Sequence, residues 1–266
     1  MSKFTDQEYL KTDQYKDEIN LNKRLTIHER FSTNSYGWFN WVFDALAKSP
    51  DNAKILELGC GHAVLWKSIT GRIPAGWDIT LTDLSPGMLD AAWRNLVVTG
   101  RTFKFKEIDS QSIPYEEETF DVVIANHMLY HVPDRAKAIA EIKRVLKPGG
   151  RLIATTVGEN HMHEIMDWFR QIHIDHVWES FVIQFTLENG LDQLKPCFSQ
   201  ISLSRYEDNL HVTEMEPLMA YILSAIRATE LSEEELAKLQ NSLKKELQEQ
   251  GGIFISKDSG LFEAVK

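Results

Sequence analysis

Cysteine is scarce in this chain. Its 266 residues hold two, Cys60 and Cys197, and neither stands in a Cys-x-x-Cys pair. Neither a zinc site nor a disulfide framework is therefore indicated, and a reduced, cytoplasmic setting is expected. Positive charge is also short. Lys and Arg number 29 against 39 Asp and Glu, a net charge of -10. A surface built to neutralise phosphates needs the opposite balance, so no nucleic-acid partner is expected, although a local basic patch stays open. Long apolar runs are missing too. The first residues, "MSKFTDQEYLKTDQYKDEIN", are polar and acidic, and no run approaches the length of a membrane span. Neither an export leader nor a membrane partner is expected. Repeats and low-complexity segments are absent. What remains is ordinary globular composition, 43% hydrophobic and 26% charged, in a length that suits one large domain or a domain with an appended subdomain.

What is present is a rhythm. Residues 1 to about 25 are charged and weakly periodic, a frayed or helical lead-in. The aromatic-rich stretch 31–48 places Phe39, Val42, Phe43 and Leu46 at helical spacing. Strands then alternate with helices: strands at 53–58, 77–83, 101–109, 120–126 and 151–157, with helices between the first three and before the last. The helix from Ser85 carries an N-cap serine, Pro86 at its first position and Gly100 at its end, and the next is capped by Asp134 and stopped by Pro-Gly-Gly. Such alternation predicts a parallel sheet covered on both faces, with right-handed crossovers. Beyond 160 the rhythm changes. Helices are expected over 160–178, 212–228 and 232–251, the last opening on a Ser232–Glu235 capping box and exposing its charged run to solvent. A strand is expected over 199–208 and a hairpin over 251–266, turning at "KDSG". One domain is read from this, with an N-terminal helical cap (1–49), a ligand-binding core (50–160) and a C-terminal part (161–266) that completes the sheet and carries a helical lid at about 207–252.

In a doubly wound sheet the ligand lies at the carboxyl ends of the strands. Four strand ends carry polar signatures in order: Glu57 with "GCG", Asp83, Asp109 with Ser110, and Asn126 with His127. Gly59 and Gly61 permit a tight turn close to a ligand. Asp83, about 22 residues beyond Gly61, is placed to accept the hydroxyl hydrogens of a ribose. Asp109 is placed to accept from an adenine amino group. A dinucleotide would ask for a third glycine, where the chain has Val64, and its pyrophosphate would be repelled by Glu57. S-adenosylmethionine has ribose, adenine and a cationic amino-acid tail but no phosphate, and it suits this set better.

"ILELGCGHAVLW", "TLTDLSPGML", "IDSQSIPYEEETFDVVIANHMLYHVPD" and "VLKPGGRLIATTVG" resemble the successive motifs of the class I S-adenosylmethionine-dependent methyltransferases, nearest to the small-molecule branch called type 11. The resemblance covers about residues 50–160. It implies an α/β, Rossmann-like sheet of seven strands in order 3-2-1-4-5-7-6 with strand 7 antiparallel. Carried over by motif, Glu57, Gly59, Cys60 and Gly61 would line the methionine and ribose part, and Asp83 would bind the ribose hydroxyls. Leu84 and Met88 would flank sugar and adenine, Asp109 and Ser110 would meet the adenine edge, and Asn126 and His127 would close the site. The cofactor implied is S-adenosylmethionine, the product S-adenosylhomocysteine. His62, where the family has a small residue, departs from the pattern, as does the helical segment before the last hairpin.

For catalysis the candidates are His127 and His131, on the loop after the fourth strand beside Tyr130; either a general base or a pocket-shaping role is open to them. Tyr36, Trp38 and Trp41 would either cover a sulfonium by cation–π attraction or form a packing face, and Tyr36, Trp38 and Tyr130 are the candidates for acceptor or lid contact. The pairs His161/His163 and His173/His176 lack the i, i+4 spacing of a zinc helix, so exposed or capping histidines and no metal are expected. The reading is methyl transfer to a small-molecule acceptor by in-line displacement. The alternatives are tRNA or protein as acceptor, a non-catalytic S-adenosylmethionine-binding protein and, third, a dinucleotide oxidoreductase. "NHML" after the fourth strand, in place of an Asn-Pro-Pro-Tyr type tetrad, and the lack of a catalytic cysteine pair weigh against a macromolecular acceptor.

Overall fold

The structure is a computed structural model, and it describes residues 5–174, 184–225 and 231–266. Five strands follow the expected alternation: β1 (Lys54–Leu58), β2 (Asp78–Asp83), β3 (Lys104–Glu107), β4 (Phe120–Asn126) and β5 (Leu146–Val157). Two more, β6 (Gln200–Tyr206) and β9 (Ser259–Val265), complete a seven-stranded sheet in the order β3-β2-β1-β4-β5-β9-β6. β9 is the seventh strand of that sheet in chain order and runs antiparallel to both neighbours, so the expected order 3-2-1-4-5-7-6 holds. The register sets Leu58 beside Thr82 and Ala125, and Asn126 beside Thr155. The residues that follow β1, β2 and β4 therefore emerge together at one end of the sheet.

Helices cover both faces because both faces are apolar. One face packs on α3 (Trp38–Leu46), α4 (Val64–Ser68) and α5 (Pro86–Val97) through Val42, Phe43, Leu46, Trp66 and Leu96. The other packs on α6 (Arg135–Val145) and α8 (Gly190–Leu194) through Ile139, Ile142, Leu194 and Phe262. The caps are those the sequence signals: Ser85 Oγ accepts from the Met88 amide at 3.3 Å, and Asp134 Oδ1 accepts from the Lys137 amide at 3.0 Å.

A third apolar cluster lies apart from the sheet and forms a roof over its carboxyl end. It joins α2 (Ile19–Phe31), α7 (His163–Gln171), α9 (Met215–Ala225) and α10 (Glu233–Gln250) with a two-stranded ribbon of β7 (Asn209–Val212) and β8 (Ile253–Ser256). Ile27 and Phe31 of the N-terminal helix meet Leu218, Ile222, Leu243 and Ile255 there. The capping box at α10 is present, with Leu239 and Leu243 as its buried stripe. Ahead of α2, α1 (Gln7–Tyr9) and a π-helical turn at Leu10–Gln14 run along the edge of the sheet.

Two expectations are corrected. Residues 253–256 and 259–265 are not a hairpin: β8 pairs with β7, while both edges of β9 are occupied by β5 and β6. The helix expected from 160 begins at His163 and ends at Gln171, because His173 has a left-handed φ of 60°; the rest of that expectation, like the end of the 212–228 helix, falls outside the described residues. Where the ribbon joins the sheet, Asp208 and Lys257 form an ion pair with side chains 0% and 6% exposed. Asp208 also accepts from Ser32 Oγ at 2.5 Å and the Asn34 amide at 2.9 Å, just past the end of α2.

Candidate active site

Between sheet and roof is a cavity of about 1230 Å³. Its floor is the loop after β1. Gly59, Gly61 and Ala63 all take left-handed φ, at 65°, 54° and 59°. A Cβ on Gly59 would stand 2.9 Å from Cβ of Met128, so the loop needs glycine there for conformation and for space. Asp83 fixes this loop to the next strand: Oδ2 accepts from the Gly61 amide and Oδ1 from the Ser85 amide, both at 2.9 Å. Burial raises its pKa against the pull of the Ser85, Gly61 and Leu84 amides. Each oxygen keeps a lone pair that can face the cavity.

Most of the candidates line this cavity: Gly59, Cys60, Gly61, Asp83, Leu84, Met88, Asp109, Ser110, Asn126 and His127 on the floor, with Trp38, Tyr130 and His131 on the walls. Asp109 is already held by amides, accepting from Gln111 Nε2 at 3.0 Å and Gln7 Nε2 at 3.3 Å. Burial pushes the Cys60 thiol well up, with the charges of Asp83 and Glu57 adding to the effect, so it is no nucleophile at neutral pH.

Three expectations are displaced. Glu57 does not line the cavity: its carboxylate turns under the loop and accepts from the Trp66 indole at 2.5 Å. Burial lifts its pKa to about 7, the Trp66 bond opposing and Asp83 reinforcing the shift. It acts on a ligand only through its field. Tyr36 is 48% exposed and donates to Asp44 at 2.6 Å, away from the cavity, because Gly37 turns the chain before α3 begins. His161 is neither exposed nor a cap. It lines the cavity, accepts from the Asp258 amide at 3.1 Å, and is pushed by burial, then by His127 and Lys257, down to about 3. His163 and His173 are exposed, and no group of three potential metal ligands occurs among the described residues.

His127 has a left-handed φ of 51°, and its amide donates to Thr155 Oγ1 at 3.0 Å. Trp38 lies against its ring, centroids 5.2 Å apart, while Trp41 packs behind on Trp38 and Tyr206. Burial and then Lys257 lower the His127 pKa to about 4, which leaves a neutral imidazole at physiological pH. His131 Nε2 is 3.0 Å from the Tyr15 hydroxyl, an imidazole–phenol pair that joins the loop after β4 to the lead-in. His62 is bonded to Asn22 of α2, its ring Nε2 2.8 Å from Asn22 Oδ1. The residue that departs from the family pattern therefore joins the glycine loop to the roof.

Several wall residues carried no signal in any motif. Tyr15 and Gln7 come from the lead-in, Tyr221 from α9 and Lys257 from the joint after β8. α2 did hold a signal: Leu21, Arg24, Leu25 and His28 recur at i, i+3, i+4 and i+7, and all four face the cavity.

The family described as methyltransferase domain matches residues 56–154, the stretch that builds the floor. Residues 56–154 thus carry a methyltransferase domain, and the strand order is the one expected of the class I S-adenosylmethionine-dependent methyltransferases. A ubiquinone biosynthesis O-methyltransferase of Stutzerimonas stutzeri is 30% identical over 122 residues, which are 46% of this chain and 50% of that protein. The chain thus spans half the length of that curated relative. A phosphoethanolamine N-methyltransferase of Haemonchus contortus, crystallised with S-adenosyl-L-methionine, is 19% identical and superposes with a TM-score of 0.61 over 99% of this chain and 60% of its own. A cyclase, 17% identical, superposes with a TM-score of 0.54 over 86% of this chain and 80% of its own. The class I cofactor is S-adenosylmethionine, and the floor fits it. Asp83 has lone pairs that can accept from a ribose, and the acidic groups Asp83 and Asp109, with the partly ionised Glu57 beneath them, oppose a pyrophosphate and favour a cation. Among the described residues no helix is long and apolar enough to cross a membrane.

Proposed function

We propose that this methyltransferase transfers a methyl group from S-adenosylmethionine to a small-molecule acceptor held under the roof. The observation that carries this reading is the continuity of one cavity from the glycine loop and Asp83, past His127 and His131, to α2 and α9. Its volume of about 1230 Å³ exceeds the roughly 300–1,000 Å³ usual for one small ligand, which leaves room for cofactor and acceptor together. The O-methyltransferase of ubiquinone biosynthesis and the phosphoethanolamine N-methyltransferase support a small acceptor, and they differ in the atom their names give.

When bound, the cofactor supplies an electrophilic sulfonium methyl group. Asp83 would hold the ribose, Leu84 and Met88 would enclose sugar and adenine, and Asp109 with Ser110 would meet the adenine edge beside Gln7. Trp38 and Tyr130 would exclude water and align the acceptor; alignment alone supplies much of the acceleration of a displacement at carbon. His131 Nε2 and the Tyr15 hydroxyl would hold or relay the acceptor's proton. His127, neutral with its pKa near 4, would orient the acceptor or accept a weak hydrogen bond.

The test is direct. Purified protein and methyl-labelled S-adenosylmethionine are incubated with a fractionated metabolite extract. A labelled product heavier by one CH2 than its precursor, formed with S-adenosylhomocysteine, is the expected result. Label appearing only on RNA or protein would overturn the acceptor class. Calorimetry in which NAD binds more tightly than S-adenosylhomocysteine would overturn the cofactor.

A further inference from the structure

Arg24 stands on the cavity face of α2, and its guanidinium is shielded from solvent. Nη1 donates to the Tyr15 hydroxyl at 3.4 Å, while Nε and Nη2 have no hydrogen-bond partner. Among the described residues no carboxylate answers this charge: burial works against it, and the groups that favour it are the phenols of Tyr15, Tyr130 and Tyr221. The other cations that line the cavity are already paired: Lys257 with Asp208, Lys11 with Glu107 and Arg170 with Asp167. His28, one helical turn beyond Arg24, is also buried and has an unpartnered Nδ1. Burial first, then Lys257, His161 and His127, hold it neutral.

An enclosed guanidinium with two idle donors is costly, because a buried charge is retained only when it is paired and its hydrogen bonds are satisfied. The idle pair is also of a particular kind. Nε and Nη2 lie on one edge of the planar group, the fork that meets two oxygens of a carboxylate or phosphate side by side. The acidic residues of the floor, Asp83 and Asp109, are held by the Gly61, Ser85, Gln7 and Gln111 donors and supply no such partner.

We infer that Arg24 is the anchor for an oxyanion carried by the methyl acceptor, so that the acceptor is an anionic small molecule whose carboxylate or phosphate group docks on the Nε–Nη2 edge. The inference rests on the proposed function for the word acceptor alone. The anion site itself stands on the idle donors. It gives the acceptor an orientation: its charged end lies against α2 and α9, beneath Tyr221, and its nucleophilic atom faces the floor near His131 and His127.

The experiment uses the full chain saturated with S-adenosylhomocysteine, with inorganic phosphate, benzoate and the neutral analogue benzamide as probes. Arginine Nε–H resonances and melting temperature are followed. In the wild type, phosphate or benzoate should shift one shielded Nε–H signal and raise the melting temperature, with benzamide doing neither. Phosphate alone would assign a phosphate monoester, and benzoate alone a carboxylate; both shifting would assign an oxyanion of either kind. In Arg24→Met the anion effects should vanish while affinity for S-adenosylhomocysteine stays within about threefold. Without any anion, that variant should melt no lower than the wild type, since it removes an unpaired buried charge. If neither anion moves an Nε–H signal of wild-type protein, or if Arg24→Met responds to anions as the wild type does, the inference is overturned. Should Arg24→Met fail to fold, the wild-type resonances and Arg24→Lys decide: Lys keeps the charge but loses the fork, so anion affinity should fall at least tenfold. Failure of S-adenosylhomocysteine to bind the wild type would overturn the proposed function instead, and phosphate titration of the free protein would still read the anion site.

Discussion

The floor and the roof of the cavity are built on different principles. The floor is made of backbone: left-handed glycines, strand ends brought level by register, and a carboxylate that pins one loop to the next. The roof is made of side chains, presented by α2, α7 and α9 over a small core of their own. Backbone geometry tolerates few sequences, so the floor reads as motifs and is shared across a family. A side-chain surface needs only an apolar stripe on its inner face and is free to change on the cavity face. Under the proposed function, cofactor chemistry would belong to the first region and acceptor choice to the second.

The sharpest way to break this comparison is at the His131–Tyr15 pair on the wall between the two regions. His131→Ala should lower kcat by roughly a hundredfold or more, the scale of a lost proton-transfer group, with cofactor affinity changed far less. Tyr15→Phe should reproduce part of that loss from the lead-in side. Single-turnover rates with the acceptor in hand would check both, and an unchanged rate in His131→Ala would remove the pair from catalysis. His127→Asn, which tolerates the left-handed φ, should also lower turnover more than cofactor affinity. Because the imidazole is neutral above about pH 4, the wild-type rate should show no step from it between pH 5.5 and 8.

Next in size is Asp83→Ala. Losing hydrogen bonds to a charged group should weaken S-adenosylhomocysteine binding by roughly 1.5–3 kcal/mol, measured by calorimetry. The loss should fall at the upper end, because the carboxylate also fixes the Gly61 and Ser85 amides. Affinity equal to wild type with an intact circular dichroism spectrum would sink the ribose assignment.

Smaller, and carried by the space between the regions, is a dependence of stability on pH. Burial depresses His127 to about 4, His161 to about 3 and His28 well below its ordinary value. Between about pH 6.5 and 4 the unfolded chain binds protons that these folded imidazoles refuse, so their contribution is complete above 6.5 and falls as pH drops, while Glu57, lifted to about 7, partly offsets it by taking up a proton in the fold. Each unmatched proton contributes about 1.4 kcal/mol per pH unit. Urea denaturation at pH 7, 6 and 5, carried out on Glu57→Gln to remove the opposing carboxylate, should show the decline, and a flat series would show that the histidines are solvated. The smallest effect expected is that of Tyr36→Phe, which removes an exposed bond to Asp44 and should leave turnover within about twofold.

This asymmetry also decides what could be read before the structure. Ser85, Pro86 and Asp134 announce their helices because caps are local chemistry; alternation gives a parallel sheet, and the seven-strand order is what the family resemblance implies. Glu57 was misplaced because strand-end position fixes which loop a residue precedes, not which side of the loop its carboxylate takes; the Trp66 indole decides that. Tyr36 was misplaced by one turn of chain at Gly37. The hairpin expected at 251–266 failed because β8 and β9 have better partners far away in sequence. Arg24 and His28 were legible only as polar interruptions of an apolar helical stripe, a pattern that gains meaning once the stripe is known to face a cavity.

The attachments of α2 carry a kinetic consequence. At its C-terminal end the chain is clasped by the enclosed Asp208–Lys257 pair. At the other end the lead-in is held to the sheet edge by Lys11 on Glu107 and Glu18 on Arg94, ion pairs open to water. Exposed pairs are worth little and are screened by salt, whereas an enclosed pair is not. The two ends of the roof thus differ in their sensitivity to salt, and ligand exchange on the side of the open pairs is expected to share it. Release of S-adenosylhomocysteine, followed by stopped-flow displacement, should quicken as ionic strength rises, while the floor that holds it keeps its shape.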